Sequence, residues 1–407
     1  MSAPQPLVVV TGWGARALPP LGVLLAFVVV AGIVYAIALR RGRLSLATIL
    51  TVSAIEMAAA WCAPALFSSD VYAYAAYGEM SRVGLDPYAL APAPSADPFV
   101  RAAQLQWVTA FPICVYGPAF VAFARATVAL LGRYGIAAVL GAFRLAACGA
   151  FLCGIALLYG VVAGDRTRRG AAAATLGLNP AAIWCAAEGH NDALALAIVL
   201  AGLLLVRRGA PAWGALLVAL SATVKLPGIA VAGILAAFDR RARAGALAGI
   251  AIALLVCAPL AFAAMTRLGP HGSYAPQASL QAILAPLGPI AAWGVAVIAA
   301  AALTARAVTL LRLREPEGWI WLGLAVWVLI PNPYPWYSLW LVALSALAPG
   351  SRAGLVGLAL SFTSLLRYLP DAAGVPPPPL AAALGAAAVF PLLALLGRRS
   401  CYNGRLP

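Results

Sequence analysis

Charge is scarce in this chain. Only 10% of its 407 residues are charged and 64% are hydrophobic. A water-soluble domain cannot cover so much apolar side-chain area, so the expected class is an all-α polytopic membrane protein. Acid is scarcer still, with 12 Asp and Glu against 27 Lys and Arg, a net charge of +15. That excess would suit nucleic acid only if it were gathered on one surface. The arginines instead fall in short clusters between apolar runs, the pattern of cytoplasmic loops, so the expected partner is a bilayer and not a nucleic acid. There are two histidines, His190 and His271, too few for a histidine-rich metal site. The cysteines Cys62, Cys114, Cys148, Cys153, Cys185, Cys257 and Cys401 lack metal-ligand spacing, and most lie within apolar runs where a thiol acts as a small hydrophobe. No basic start with a cleavable apolar core opens the chain, so no signal peptide is expected. No internal repeat is evident, and the whole of 1–407 reads as a single integral membrane domain.

A bilayer core of about 30 Å takes roughly twenty apolar residues per helix. On that criterion spans are expected at 19–39, 45–66, 136–162, 171–187, 191–206, 211–224, 227–238, 244–264, 284–305, 317–331, 336–348, 353–369 and 379–397. The clusters Arg40–Arg43, Arg166–Arg169, Arg207–Arg208, Arg240–Arg243, Arg306–Arg314, Arg352 and Arg398–Arg399 mark the inner side, which puts the N-terminus outside and the C-terminus inside. Residues 68–133 then form a long first outer loop, with 113–133 as a juxtamembrane or re-entrant helix. Further outward tips fall near 188–192, 225–227, 265–283, 332–335 and 370–378. Asp70, Glu79, Asp86, Asp97, Glu188, Asp192 and Asp371 lie on that side with few basic partners, whereas Glu56 is left inside a span. The runs 171–187 with 191–206, and 211–224 with 227–238, are short hairpins. Their tips, AEGHNDA and TVKLPG, should sit below the outer surface in a protein-lined cavity.

The stretch FSSDVYAYAAYGEMSRVGLDPY (67–88) gathers carboxylates and tyrosines where a span ends. The serines before Asp70 suit a helix start, and an acid in the first turn would complement the helix dipole in any case. Alternatively Asp70 acts on a sugar hydroxyl as general base, with Tyr72, Tyr74 and Tyr77 beside it to cover apolar C–H faces; Tyr74 and Tyr77 share its helical face at i+4 and i+7. Glu79 has Arg82 as a partner, and Asp86-Pro87 reads as a turn. Lys225 is the only lysine. It either snorkels to water or, as a compact cation at depth, holds a phosphate. Glu188, His190, Asn191 and Asp192 line a pocket or form a solvated turn with a helix cap; metal ligation by His190 with the carboxylates matches no strong motif. PNPYPWY (331–337) cannot continue a helix and should present Tyr334 and Trp336 in a broken aromatic turn. Arg367 ends its span either as an interfacial anchor or as a second anion-holding cation.

DVYAYAAYGEMSRVGLDPY, VYGP (115–118), LNP (178–180), GHNDAL (189–194), VKLPG (224–228) and NPYPWY (332–337) stand in one order. In these motifs, over about residues 60 to 340, the chain resembles the polyprenol-phosphate-mannose-dependent α-1,6-mannosyltransferases of the glycosyltransferase C superfamily. The resemblance implies a glycosyltransferase C-like bundle of about 11–13 transmembrane helices, with juxtamembrane helices in the first outer loop. It implies an inverting hexosyltransferase of the cytoplasmic membrane, active on the periplasmic or extracellular face, with Asp70 as the base. The donor would be a polyprenyl-phosphate-linked sugar, most simply mannose, and the acceptor a glycan or lipoglycan. Lys225 and Arg367 are the side chains here to balance the leaving phosphate. No cofactor is implied, although some relatives use a divalent metal. Glu188 stands where the family leads one to expect a small residue. Two rivals are weighed against this reading. A lipid-linked glycan flippase or transporter would place its ionisable groups near the midplane between repeated halves. A polymerase or ligase using a polyprenyl diphosphate would want more outer arginines than Arg267 and Arg367.

Overall fold

The computed structural model describes residues 9–11, 14–16, 21–41, 44–62, 68, 70–92, 96–106, 112–260, 276–367 and 380–396. The expected outward connections at 265–275 and 370–378, with Arg267, His271 and Asp371, lie outside the described residues, as does Cys401. A small antiparallel pair, β1 (Val9–Thr11) and β2 (Gly14–Arg16), precedes the first helix. Every other regular element among the described residues is helical. The helices are α1 (Leu21–Arg41), α2 (Leu46–Cys62), α3 (Asp70–Arg82), α4 (Pro98–Gln106), α5 (Pro118–Leu131), α6 (Ile136–Val161), α7 (Arg166–Gly177), α8 (Pro180–Ala187) and α9 (Asp192–Arg207). They continue with α10 (Pro211–Leu220), α11 (Pro227–Phe238), α12 (Arg243–Val256), α13 (Leu280–Leu284), α14 (Pro289–Arg312), α15 (Glu317–Leu329), α16 (Ser338–Ser345), α17 (Arg352–Thr363) and α18 (Leu380–Ala387). This is an all-α polytopic membrane protein.

The expected spans are cut more finely than hydropathy alone suggests. Two described helices, α6 and α14, are long and apolar enough to cross a bilayer unbroken, and a third span results if the bent pair α8–α9 counts as one. Several others run to 10–17 residues. Local chemistry explains the breaks. The expected 171–187 run divides at LNP, where the Asn179 side chain accepts from the Ala182 N–H at 3.0 Å and Pro180 occupies the first helical position. Such a pair starts a new helix. Similarly 211–224 ends in a 3₁₀ turn at Ser221–Thr223 ahead of Pro227, and the 336–348 run is preceded by a 3₁₀ turn at Pro335–Tyr337. These 3₁₀ turns and proline-led starts lie on the side chains of interest.

Small residues set the packing. α6 lies along α9, α9 along α10, and α10 along α12, while α3 lies along α5. At the α9–α10 crossing the backbones nearly touch: a Cβ on Gly202 would lie 2.6 Å from the Gly214 carbonyl oxygen. Between α3 and α5 a Cβ on Gly78 would lie 2.7 Å from the Ala124 carbonyl oxygen. Without a hydrophobic driving force between helices in lipid, such close approach is what holds them together. Gly202→Val is therefore expected to destabilise the protein by about 1–3 kcal/mol through overpacking. Gly149→Ala, whose new methyl would meet nothing within 4 Å, should be neutral. Thermal unfolding of the two variants in detergent checks the contrast.

Candidate active site

The turn between α8 and α9 organises the site. α8 ends with Gly189 in a left-handed conformation, φ 90°. Its N–H donates to the Ala186 carbonyl at 3.0 Å and the His190 N–H donates to the Cys185 carbonyl at 3.1 Å, the paired bonds of a Schellman stop. Positive φ and space both demand glycine, because a Cβ there would sit 2.7 Å from the Val71 side chain. The chain bends by 112° between α8 and α9, and Asp192 opens α9. Glu188, His190, Asn191 and Asp192 consequently project together, all of them buried.

Each is tied to another part of the chain. The Asp192 carboxylate is fully buried and receives Lys225 Nζ at 2.6 Å and Trp340 Nε1 at 2.8 Å. Lys225 also points at Asn191 Oδ1, 3.4 Å away, and its ammonium stands 5.2 Å over the Tyr337 ring. Glu188 accepts from Trp184 Nε1 at 2.9 Å. His190, 1% exposed, lies between two carboxylates, with Nδ1 3.7 Å from Asp70 Oδ2 and Nε2 3.7 Å from Glu188 Oε2. Neither ring nitrogen makes a hydrogen bond. Its imidazole stacks on Trp336 at 4.5 Å, Trp336 stacks on Tyr334 at 4.4 Å, and the Arg367 guanidinium covers Tyr334 at 4.5 Å. Arg367 also donates to Gln277 Oε1 at 2.7 Å, which ties the PNPYPWY turn to residue 277.

The sequence motifs thus converge. Asp70 stands at the start of α3, its N–H held by Ser68 Oγ at 3.0 Å. VYGP docks on VKLPG through the Gly117 N–H and the Val224 carbonyl at 3.1 Å, with no room for a Cβ on Gly117. Glu79 pairs with Arg82 at 2.6 Å, and Asp86 Oδ1 accepts from the Tyr88 N–H at 2.9 Å as a turn residue should.

One expected role is corrected. Tyr74 and Tyr77 are 0% and 2% exposed. Tyr74 sits edge-on to Tyr116, Phe120 and Phe143, and its hydroxyl receives the Asn191 N–H at 3.4 Å. Tyr77 donates to the Pro112 carbonyl at 2.7 Å. These rings are core that carries Asp70, not covers for a sugar, because α5 packs on the face they share. Burial, reinforced by Asp70, holds the Tyr74 and Tyr116 phenols well above their usual range, so both stay neutral. Tyr72 is also buried, and its phenol is pushed up by that burial and partly brought back by Arg144. Lys225, read either as snorkelling to water or as holding a phosphate, has a carboxylate partner in Asp192.

Sequence reasoning missed Trp184, Tyr337, Trp340 and above all Arg144. That arginine is the sole charged residue of the 26-residue helix α6. Its Nε donates to the Ala187 carbonyl at 2.6 Å and Nη2 to the Trp61 carbonyl at 3.2 Å, satisfying the backbone next to Glu188. A lone charge within an apolar span was the signal available. Among the described residues no group of three or more His, Cys, Asp or Glu side chains could hold a metal ion.

In this helical membrane protein Asp70, His190 and Glu188 come together as an acid–imidazole–acid cluster flanked by aromatic rings and cations, the candidate active site. The family described as alpha-(1->6)-mannopyranosyltransferase, N-terminal domain, matches residues 5–240, more than half of the chain, and the protein belongs to that family. Alpha-(1->6)-mannopyranosyltransferase A of Mycobacterium tuberculosis is 32% identical over 183 residues, which cover 40% of this chain and 33% of the relative. A second alpha-(1->6)-mannopyranosyltransferase of that organism is 36% identical over 156 residues, 36% of this chain and 25% of the relative. The matched stretches thus span a third or less of the curated relatives. No solved structure matches the chain.

The Lys225–Asp192 pair predicts its own test. Lys225→Met strands a fully buried carboxylate and is expected to destabilise the protein by about 3–5 kcal/mol. Asp192→Asn in the Lys225→Met background should recover most of that loss, as read by the thermal midpoint in detergent.

Proposed function

We propose that this protein is an inverting membrane glycosyltransferase that moves a sugar, mannose in keeping with its family, from a polyprenyl monophosphate to a hydroxyl of a glycan or lipoglycan. The reading places the site on the periplasmic or extracellular face of the cytoplasmic membrane, within one glycosyltransferase C-like membrane domain. The observation that carries it is that the GHND turn meets both Asp70, through His190, and the VKLPG turn, through Lys225, in a chain from this family.

The chemistry follows from the groups. The Asp70 carboxylate takes the proton of the acceptor hydroxyl as that oxygen attacks the anomeric carbon from the face opposite the phosphate. The bond between the anomeric carbon and the phosphate oxygen breaks, and its electron pair stays on the departing polyprenyl phosphate. Cations are needed where that charge develops. Arg367, on the outer end of the aromatic stack, is the better placed of the two candidates. Lys225 is paired with Asp192, so it acts as an ion pair whose remaining N–H donors can still reach an oxygen. Tyr334 and Trp336 supply the aromatic surface that Tyr74 and Tyr77 do not. The side-chain cations take the place of a divalent metal in this reading.

Purified protein incubated with a radiolabelled polyprenyl-phosphate mannose donor and membrane-extracted acceptor should consume the donor and release polyprenyl phosphate, which separates transfer from transport. Asp70→Asn is expected to lower transfer by about 10²–10⁴-fold while leaving the protein in the membrane; undiminished transfer would rule out the base. Transfer should persist in excess EDTA, and a loss restored by Mg²⁺ or Mn²⁺ would replace the cation assignment with a metal.

A further inference from the structure

General-base chemistry leaves His190 without a task, and its surroundings are unusual. It is 1% exposed, both ring nitrogens lack hydrogen bonds, and each faces a carboxylate oxygen at 3.7 Å. Burying an imidazole without hydrogen-bond partners is unfavourable and calls for an explanation. Both gaps close to hydrogen bonds with a movement of about 1 Å, and catalytic hydrogen bonds commonly tighten only when substrate is bound. Trp336 stacks on one face of the ring with an interplanar angle of 20° and restrains its tilt. Gly189 before it is held by the Schellman stop, and Arg144 fastens the Ala187 carbonyl just upstream.

We propose that Asp70, His190 and Glu188 form a proton relay in which Glu188 receives the acceptor's proton. The inference rests on the reading of Asp70 as the base. Asp70, having taken the acceptor proton, passes it to His190 Nδ1. The proton on His190 Nε2 moves to the Glu188 carboxylate. The acceptor loses one proton, Glu188 gains one, Asp70 returns to its carboxylate form, and the imidazole ends neutral as the other tautomer. No oxidant, reductant or metal is needed. Glu188 suits the receiving end, since Trp184 Nε1 fixes one oxygen at 2.9 Å and leaves the other, Oε2, facing the imidazole. The remaining charges around the ring are Arg144 from α6, Asp192 from α9 and Lys225 from the turn before α11. Of these, Asp192 and Lys225 neutralise one another at 2.6 Å. The relay lets Asp70 be regenerated while product still occludes it from water. It also gives the buried Glu188 a defined task. His190 and Glu188 act through Asp70 as positioning and relay residues.

Glu188→Gln tests this with little change in shape, because the amide oxygen still accepts from Trp184 while the side chain can no longer take a proton. At saturating donor and acceptor its turnover is expected to fall at least tenfold, with the KM values of both substrates within twofold of wild type. Rates in mixtures of H₂O and D₂O provide the second readout. Two protons in flight should give wild type a curved dependence on deuterium fraction, and the variant a linear one. Unchanged turnover, a defect confined to KM, or a fall in turnover with the deuterium dependence unaltered would overturn the relay. Asp70→Asn in the same assay separates the two readings. An inactive Asp70→Asn beside a fully active Glu188→Gln removes the relay and leaves the base; an active Asp70→Asn removes the base itself. Thermal midpoints within 2 °C or so of wild type, a shift worth less than about 1 kcal/mol, identify variants in which a lost rate is not lost fold.

Discussion

The Lys225–Asp192 ion pair is the interaction on which the site depends. Asp192 is fully buried, and a bare carboxylate in such surroundings is untenable. It is held by a lysine 33 positions away and by Trp340, 148 positions away. Those two bonds pin the start of α9 to the turn before α11 and to α16. Once the start of α9 is placed, the tight stop of α8 determines where His190 and Glu188 point. The same lysine turn receives Gly117, which brings Tyr116 and Phe120 against Tyr74 and so seats α3 with Asp70 at its head. The charge pair and the turn that carries its lysine thereby link five separate segments of chain.

Around that pair the protein uses flat side chains as structure. From His190 through Trp336 and Tyr334 to Arg367 runs a stack of planar groups, each about a ring thickness from the next. Aromatic pairs of this kind add to the apolar area they bury, and a guanidinium over the last ring adds cation–π attraction. The stack gives orientation to an imidazole whose nitrogens are not yet engaged. It also couples Arg367 mechanically to the acid end of the site. Rigidity from stacking and readiness from open hydrogen-bond gaps coexist in one residue, His190.

Much of this was legible locally. A paucity of charge gave the membrane class, and the acids crowded at helix ends gave the candidate residues. Glu79 with Arg82 three positions on, and Asp86 before Pro87, behave as short-range rules require, because their partners are their sequence neighbours. The misjudged residues are those whose partners are distant. Tyr74 and Tyr77 lie on the helical face with Asp70, as i+4 and i+7 demand, yet that face is covered by α5. Which neighbour covers a face is not written in its periodicity. The expected continuous span at 171–187 overlooked a local signal, the Asn-Pro pair at 179–180, because hydropathy over a long window averages across a two-residue stop. Arg144 was passed over for the same reason.

The sequence by itself determined that this chain lives in a bilayer, that it is helical, and which few polar side chains are candidates for its chemistry. In an apolar chain each charge is too expensive to bury without purpose. Only the tertiary structure decided who partners whom. It gave Lys225 to Asp192 before any phosphate, turned two tyrosines into core, and set an imidazole midway between two carboxylates. Helix formation is governed by groups within four residues of one another, whereas the pairing of buried charges is settled by whichever distant segment arrives close enough to offset their desolvation.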